Sequence, residues 1–250
     1  MGYDILKLMK EILFSFLGVN VYSFGIFICV SFLLGFWLVT KLAKNEDVDT
    51  YFIFDLSLAT FLIALIISKL SFMVLYYSQL STLPFLKAFL SSGFVLYPGL
   101  SAGLVTWFLI IRTKNLDLKR WSDWGILTLF FSLSFSKIGE FLTSSVYGKV
   151  SNLPWAISNQ HPVAIYELLL YLGIGILFLR FKNQISKGNV FIYGVLAIAI
   201  VNFLMGFLKI SLLNYSSLSY SQWFSLAIII IYALFYVLPL VNKFSFKEKK

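Results

Sequence analysis

Seven long apolar runs, separated by short polar segments, limit what this chain can fold into. A helix needs about 20 predominantly apolar residues to cross the hydrocarbon core of a bilayer, and every run is about that long. The sequence therefore predicts an all-α fold, a single integral membrane domain over residues 1–250 with seven transmembrane helices. The runs lie near residues 20–40, 51–77, 93–112, 122–146, 163–181, 189–213 and 222–242.

The composition excludes a soluble domain. Hydrophobic residues make up 60% of the chain and charged residues only 12%, whereas soluble domains carry about 25% charged residues. The formal net charge of +9 is not a sign of nucleic-acid binding, because the basic residues lie in short segments between apolar runs. In such segments Lys and Arg set the orientation of a membrane protein.

The basic residues are distributed unequally between the two ends of the runs. Thirteen Lys and Arg residues follow the first, third, fifth and seventh runs, and four lie at the opposite ends. Because cytoplasmic loops carry the excess of Lys and Arg, the sequence predicts an N-terminus outside and a C-terminus in the cytoplasm. Residues 243–250 would then form a basic cytoplasmic tail.

Segments outside the runs suggest contacts with the membrane surface. Residues 4–17 place Asp4, Lys7 and Glu11 on one face, which predicts a short interfacial helix. Residues 78–92 and 147–162 are expected to form an external arm and an external loop. The single cysteine, Cys29, allows no internal disulfide and no metal-ligand spacing, and no cofactor is expected.

Three lysines lie inside apolar runs: Lys69, Lys137 and Lys209. A charge near the bilayer centre costs about 2.5–3.5 kcal/mol on insertion scales, so such residues usually face a protein interior or a wet cavity. In the predicted topology all three belong to the outer half of the protein, together with Glu140. Cations at one depth suit an anion such as a lipid phosphate; separate snorkelling of each lysine to the interface is the alternative.

Lys137 and Glu140 are three residues apart, so they share one face if this run is helical, with Ser144 one turn further on. They form either part of a functional site or a structural ion pair. Asp55 and Asp123 lie at the opposite ends of their runs, where the helix dipole favours acidic residues.

An ordered series of motifs begins near the end of the fourth run. It consists of Ser136-Lys137-Ile138-Gly139-Glu140-Phe141, Tyr147-Gly148, Leu153-Pro154-Trp155, His161-Pro162 and Tyr166-Glu167. This series resembles the prolipoprotein diacylglyceryl transferases of bacterial inner membranes. That family has a glycine- and asparagine-rich signature with an arginine, then Leu-Pro-Trp, then His-Pro-x-x-Leu-Tyr-Glu.

This chain carries other residues at several of the family's polar positions. Lys137 stands in place of the signature arginine, Glu140 in place of an asparagine, and Tyr97 in place of a histidine before glycine. The family pattern Arg-x-x-x-Glu-x-x-Arg of the sixth span is represented here by Asn202, Gly206 and Lys209.

The resemblance implies transfer of a diacylglyceryl group from phosphatidylglycerol to the lipobox cysteine thiol of a prolipoprotein, in the outer half of the inner membrane. The implied partners are phosphatidylglycerol or another anionic phospholipid, the prolipoprotein signal peptide and the membrane. The implied catalytic residues are Lys137, Glu140, Tyr97 and Lys209.

In this interpretation Lys137 holds the departing phosphate with support from Lys69 and Lys209, Glu140 orients Lys137 or takes a proton, and Tyr97 relays a proton. Further residues at the lipid or phosphate site are Ser144 and Gly148, and loop or structural residues near it are His161, Tyr166 and Glu167.

Two other functions stay open at this point. The replaced motif residues would also fit a catalytically silent relative that binds anionic lipid or a lipoprotein. A small lipid or solute transporter would need a polar path through both leaflets, and polar residues are scarce in the inner halves of the predicted helices.

Overall fold

The computed structural model describes residues 12–16, 19–44, 46, 48–77, 84–91, 93–143, 148–211 and 214–237. Helices make up most of this part of the chain, and six of them are long and apolar enough to cross a membrane. The protein is therefore a polytopic membrane protein. Its helices are α1 Ser23–Leu42, α2 Thr50–Leu75, α3 Phe85–Ser91, α4 Leu96–Thr113, α5 Leu118–Leu142, α6 Val163–Phe181, α7 Asn189–Gly206 and α8 Tyr220–Tyr232.

The first six predicted spans correspond to α1, α2, α4, α5, α6 and α7. The sixth prediction was too long at its C-terminal end: α7 ends at Gly206, and Lys209 lies beyond the helix in an isolated β-bridge with Gly148. A side chain at position 206 could not be accommodated without movement of Gln222, because a Cβ there would lie 2.5 Å from Gln222 Cγ.

The last described α-helix, α8, is shorter than the six helices that are long enough to cross a membrane. It begins with a capping box in which Ser219 Oγ accepts from the backbone N–H of Gln222 and Gln222 Oε1 accepts from the N–H of Ser219. After Tyr232 the chain continues as a π-helix over Ala233–Val237. The rest of the predicted seventh span, and the basic tail over 243–250, lie outside the described residues.

The predicted interfacial helix over residues 4–17 is wrong for its second half. Ile12–Phe16 is strand β1, and it pairs antiparallel with β2, Val19–Tyr22, so that Phe16 lies opposite Val19. Both segments are rich in β-branched and aromatic residues, which favour a strand. Residues 4–11 lie outside the described part of the chain.

The structure describes parts of the predicted external arm and the predicted external loop. Within the predicted arm at 78–92, residues 85–91 form α3. Within the predicted loop at 147–162, the backbone from Gly148 to Gln160 folds back on itself through the bridges Val150–Gln160 and Ile157–Gln160. A second two-stranded hairpin, β3 Asn214–Tyr215 and β4 Leu218–Ser219, precedes α8.

The long helices form two groups. In the first, α5 packs along α1 on one side and along α6 and α7 on the other, and α8 packs on α7. In the second, α2 packs along α4. A buried cluster that includes Leu56, Trp107 and Trp121 joins the two groups at one end of the bundle, which is called the Trp121 end below.

Large apolar side chains cover the outside of the bundle, as a lipid-facing surface requires. In the most apolar stretch of α2 only 6% of the residues are buried, and Leu62, Ile66 and Val74 are among its exposed side chains. A soluble protein rarely exposes contiguous apolar patches of this kind.

Asp123 fixes the start of α7. This residue lies on α5, yet its carboxylate accepts backbone N–H groups from Gly188, at 2.7 Å, and from Phe191, at 2.8 Å. The first N–H groups of a helix have no partner within the helix, and here a carboxylate of another helix provides one. Asp123 therefore sets the position of α7 relative to α5.

We expect Asp123→Ala to lower the stability of the folded protein by about 1–2 kcal/mol, the usual cost of losing an N-cap acceptor. Thermal unfolding in detergent measures the change. Asp55→Ala is the control because the Asp55 side chain is exposed on α2; equal losses for the two variants would contradict the role assigned to Asp123.

Candidate functional site

A cavity of about 550 Å³ lies between the two helix groups. Along α5 its lining extends from Ser122 to Glu140, which at about 1.5 Å per residue is roughly 27 Å. Most of the lining is apolar, with aromatic side chains of α1 and α2 such as Phe32 and Phe61. Charged side chains, Lys137, Glu140 and Lys209, line the cavity at the end opposite Trp121.

Lys137 lies near the C-terminal end of α5 and is surrounded by carboxylates. Its Nζ donates to both oxygens of Glu140, each at 2.7 Å. It also lies 3.1 Å from Glu167 Oε2 of α6, an ion-pair contact without the alignment of a hydrogen bond. The Lys137 side chain is only 7% exposed, so its charge is balanced within the protein and not by solvent.

Glu167 connects two lysines. Its Oε1 accepts from Lys209 Nζ at 2.5 Å, while its Oε2 faces Lys137. The side chain has no exposed surface. Glu140, Lys137, Glu167 and Lys209 thus form a continuous chain of ion pairs, called the ionic quartet below, which joins α5, α6 and the segment after α7.

The ionic quartet has two positive and two negative charges. The sequence predicts instead that three lysines and one carboxylate, Glu140, share the site. The difference arises because Glu167, expected to be a structural residue near the site, lies at its centre. The spacing of Lys137 and Glu140 was visible in the sequence, whereas the contacts of Glu167 join residues 30 and 42 positions away along the chain.

The backbone of the loop before α6 holds Lys209 in place. The N–H of Lys149 donates to the carbonyl of Leu208 at 2.8 Å, and the N–H of His161 donates to the carbonyl of Lys149 at 3.0 Å. Gly148 permits this approach, because a Cβ there would lie 2.1 Å from the carbonyl oxygen of His161. Gly148 therefore has a structural reason to be glycine, beyond its expected place in the lipid site.

Lys69 is not among the described residues that line the cavity. Its Nζ donates to the carbonyl of Phe89 at 2.9 Å, near the end of α3, and lies 4.8 Å from the centre of the Phe94 ring. The adjacent Ser68 hydroxyl holds the backbone of Val95, at the start of α4. In this conformation Lys69 contacts the arm and not the ionic quartet.

Tyr97 turns away from the cavity and toward α8. Its hydroxyl is hydrogen-bonded to that of Ser225, which in turn donates to the carbonyl of Ser221 at 2.8 Å. Its ring is stacked with that of Phe224. Since the single Ser225 proton goes to Ser221, the Tyr97 hydroxyl is the donor to Ser225.

A second polar pair, Asn202 with Tyr171, lies next to the ionic quartet, and the sequence analysis did not predict this pairing. Asn202 of α7 donates its side-chain amide to the Tyr171 hydroxyl at 2.9 Å, and Asn202 also lines the cavity. Tyr171 is fully buried and follows Glu167 by four residues on α6. That spacing places both on one face of α6 and was the signal available in the sequence.

Of the other residues expected near the site, Tyr166 and His161 pack against each other, and Ser144 is outside the described residues. The Tyr166 hydroxyl accepts from Trp155 Nε1 at 2.8 Å, and the His161 ring packs edge-on against Tyr166. His161 Nδ1 is buried and has no hydrogen-bond partner among the described residues.

We expect Glu167→Gln to cost about 3–5 kcal/mol of stability, the usual effect of removing one partner from a buried ion pair. Glu140→Gln should cost less, because the Glu140 side chain is 18% exposed and Lys137 keeps Glu167. Comparing unfolding midpoints in detergent tests this order. Equal destabilisation by the two variants would contradict the central position of Glu167.

Comparison with known proteins identifies the family. Residues 11–238 match the family model described as prolipoprotein diacylglyceryl transferase. A protein of Finegoldia magna named phosphatidylglycerol–prolipoprotein diacylglyceryl transferase is 28% identical over 236 residues, with coverage of 89% of this chain and 92% of the relative.

Two further proteins of the same name give similar alignments. The relative from Clostridium tetani is 29% identical over 240 residues, covering 89% of this chain and 95% of its own. That from Clostridioides difficile is 25% identical over 226 residues, covering 87% and 90%. Since the family match spans most of the chain, this protein belongs to the prolipoprotein diacylglyceryl transferase family.

Proposed function

We propose that this protein transfers a diacylglyceryl group from phosphatidylglycerol to the cysteine thiol of a prolipoprotein. The observation that carries the proposal is a pair of lysines, Lys137 and Lys209, at one end of a long apolar cavity in a member of this family. The relatives' names support the reaction, and the cavity offers a place for each part of the lipid.

The cavity suits a phospholipid bound along the bundle. Its apolar lining, between α1 and α5 on one side and α2 and α4 on the other, is the environment that acyl chains prefer. The roughly 27 Å from Ser122 to Glu140 leaves room for extended chains below a headgroup. The headgroup phosphate then lies beside Lys137 and Lys209.

The transfer exchanges one bond to a glyceryl carbon for another. The cysteine sulfur forms a bond to that carbon, the bond from the carbon to the phosphate oxygen breaks, and glycerol phosphate leaves with the electron pair. Lys137 and Lys209 stabilise the negative charge on the departing group. Glu140, the carboxylate of the ionic quartet that lines the cavity, takes the thiol proton.

Lysine at position 137, where the family has arginine, changes how phosphate is held. A guanidinium grips two phosphate oxygens in a fixed fork, whereas an ammonium is a point charge. Two ammonium groups, both ion-paired with Glu167, offer the phosphate two points of contact again. The Glu167 bridge fixes the spacing between them.

The remaining site residues would hold nearby helices and loops in place and would not touch the reacting atoms. Tyr97 is held by Ser225 and would fix the start of α4 against α8 beside the ionic quartet. Lys69 would keep the arm helix α3 near the phosphate end through the Phe89 carbonyl. Gly148, His161 and Tyr166 would shape the external loop that supports Lys209.

We further infer a seven-span topology in the bacterial inner membrane, with the N-terminus outside and the C-terminus in the cytoplasm. α8 and the apolar residues that follow it would form the seventh span. The excess of basic residues at one side supports the orientation. This orientation puts the ionic quartet in the outer half of the bilayer, where a secreted precursor is accessible.

Reporter fusions test this topology. Enzymes active only inside or only outside the cytoplasmic membrane are joined after Lys87, Lys119 or Lys250. We expect an external signal at Lys87 and cytoplasmic signals at Lys119 and Lys250. An external signal at Lys250 would contradict seven spans in this orientation.

The function is tested by transfer from phosphatidylglycerol to a lipobox peptide. We expect Lys137→Met to lower the rate about a hundred- to a thousandfold, the typical effect of losing one stabiliser of transition-state charge. Lys137→Arg, which restores the family residue, should be active. Lys114→Met is the control, because Lys114 is exposed beyond the C-terminal end of α4, toward the Trp121 end.

Three outcomes of this assay are informative. Loss of transfer only in Lys137→Met supports the proposal. Undiminished transfer by Lys137→Met would exclude Lys137 as the phosphate-holding cation. Wild-type protein that binds anionic lipid but transfers nothing would show a catalytically silent relative.

A further inference from the structure

The ammonium group of Lys137 is surrounded by carboxylate oxygens. An ammonium has three N–H donors and no acceptor. Three carboxylate oxygens lie around this one: both Glu140 oxygens at 2.7 Å and Glu167 Oε2 at 3.1 Å. Because the Lys137 side chain is only 7% exposed and these oxygens surround its Nζ, a lipid phosphate contacts the ammonium only if one of the carboxylates moves.

Glu140 and Glu167 differ in their freedom to move. Glu167 is held from both sides, by Lys137 and by Lys209, and has no exposed surface. Glu140 is 18% exposed and lines the cavity, and within the described part of the chain its carboxylate pairs only with Lys137. Glu140 is therefore the carboxylate that can leave without uncovering a second buried lysine.

The charges lead to the same assignment. With both carboxylates in place the ionic quartet is formally neutral and has no net attraction for an anion. When Glu140 leaves, Lys137, Glu167 and Lys209 together carry one positive charge. That charge matches the single negative charge of a phosphodiester, so the exchange replaces one anion by another at the same cation.

We infer that Glu140 occupies the place of the substrate phosphate on Lys137, and that an anionic lipid headgroup displaces it on binding. This inference rests on the proposed function and adds a regulatory contact to the same site. It does not follow from family membership, because the family has asparagine at this position, which carries no charge to compete with phosphate.

Displacement of Glu140 by the lipid headgroup sets the order in which lipid binding and thiol activation occur. While Glu140 is paired with Lys137, both of its carboxylate oxygens accept hydrogen bonds from the Lys137 ammonium. After displacement the carboxylate is available to the thiol. The lipid must then bind before the cysteine is activated, which keeps a reactive thiolate from forming in an empty site.

Equilibrium binding tests the displacement without requiring turnover. The full-length protein, in a neutral detergent, is titrated with dioctanoyl phosphatidylglycerol and, separately, with dioctanoyl phosphatidylcholine. Glu140→Gln removes the competing charge and keeps the shape of the side chain. We expect it to bind the anionic lipid about tenfold more tightly than wild type, with no change for the zwitterionic lipid.

Glu46→Gln is the matched control. Glu46 also pairs with a cation, Arg120, and its side chain is 24% exposed, but it lies at the Trp121 end. This substitution makes the same change in net charge, and we expect unaltered binding. Glu140→Asp keeps the charge on a shorter side chain, so its affinity should fall between wild type and Glu140→Gln.

Kinetics separate displacement from a merely structural role. In the transfer assay Glu140→Gln should lower KM for phosphatidylglycerol and also lower kcat, because the competing anion and the proton acceptor are lost together. A structural role would instead raise KM. Thermal unfolding of each variant shows whether it is folded.

The outcomes distinguish this inference from the proposed function. If wild type binds the anionic lipid and folded Glu140→Gln binds it equally or more weakly, the displacement of Glu140 is overturned. The proposed transfer activity is not affected by that result. The expected binding order without any transfer overturns the proposed activity alone. Absence of a preference for the anionic lipid in wild type and Glu140→Gln overturns both.

Discussion

The burial of one carboxylate between two ammonium groups is the constraint on which the rest of this site depends. Glu167 has no exposed surface, and an isolated charge in such a position costs several kcal/mol in lost hydration. Its attraction to Lys137 and Lys209 offsets that cost only if both lysines stay within contact distance. The fold must therefore bring together α5, α6 and the segment after α7.

Both ends of the bundle contribute to this alignment. At the Trp121 end, Asp123 of α5 accepts the first N–H groups of α7 and so fixes the relative positions of these helices. At the other end, Lys149 pairs with the backbone of Leu208, which Gly148 permits. Lys209 is thus placed by its backbone as well as by its ion pair, and the two lysines keep a defined separation.

The sequence predicted the elements better than their contacts. Apolar run length located the membrane helices, since lipid imposes both their length and their composition. The pairing of Lys137 with Glu140 followed from helix periodicity. The bridge through Glu167 could not be predicted in this way, because it depends on which helices become neighbours.

Two other predictions from the sequence, for Lys69 and for residues 12–16, differ from the structure because of contacts close to those residues. Lys69 was expected at the phosphate because it lies at the same depth as Lys137, but depth does not specify direction around a helix, and its Nζ contacts the Phe89 carbonyl. The segment Ile12–Phe16 was assigned to a helix from the charges before it, although its pairing with Val19–Tyr22 makes it a strand.

The most direct measurement of the central claim is an experimental structure of the protein with bound phosphatidylglycerol. The account predicts a phosphate in contact with the Nζ atoms of Lys137 and Lys209, acyl chains between α1, α2, α4 and α5, and Glu140 turned away from Lys137. A phosphate bound away from both lysines, with the ionic quartet intact, would contradict it.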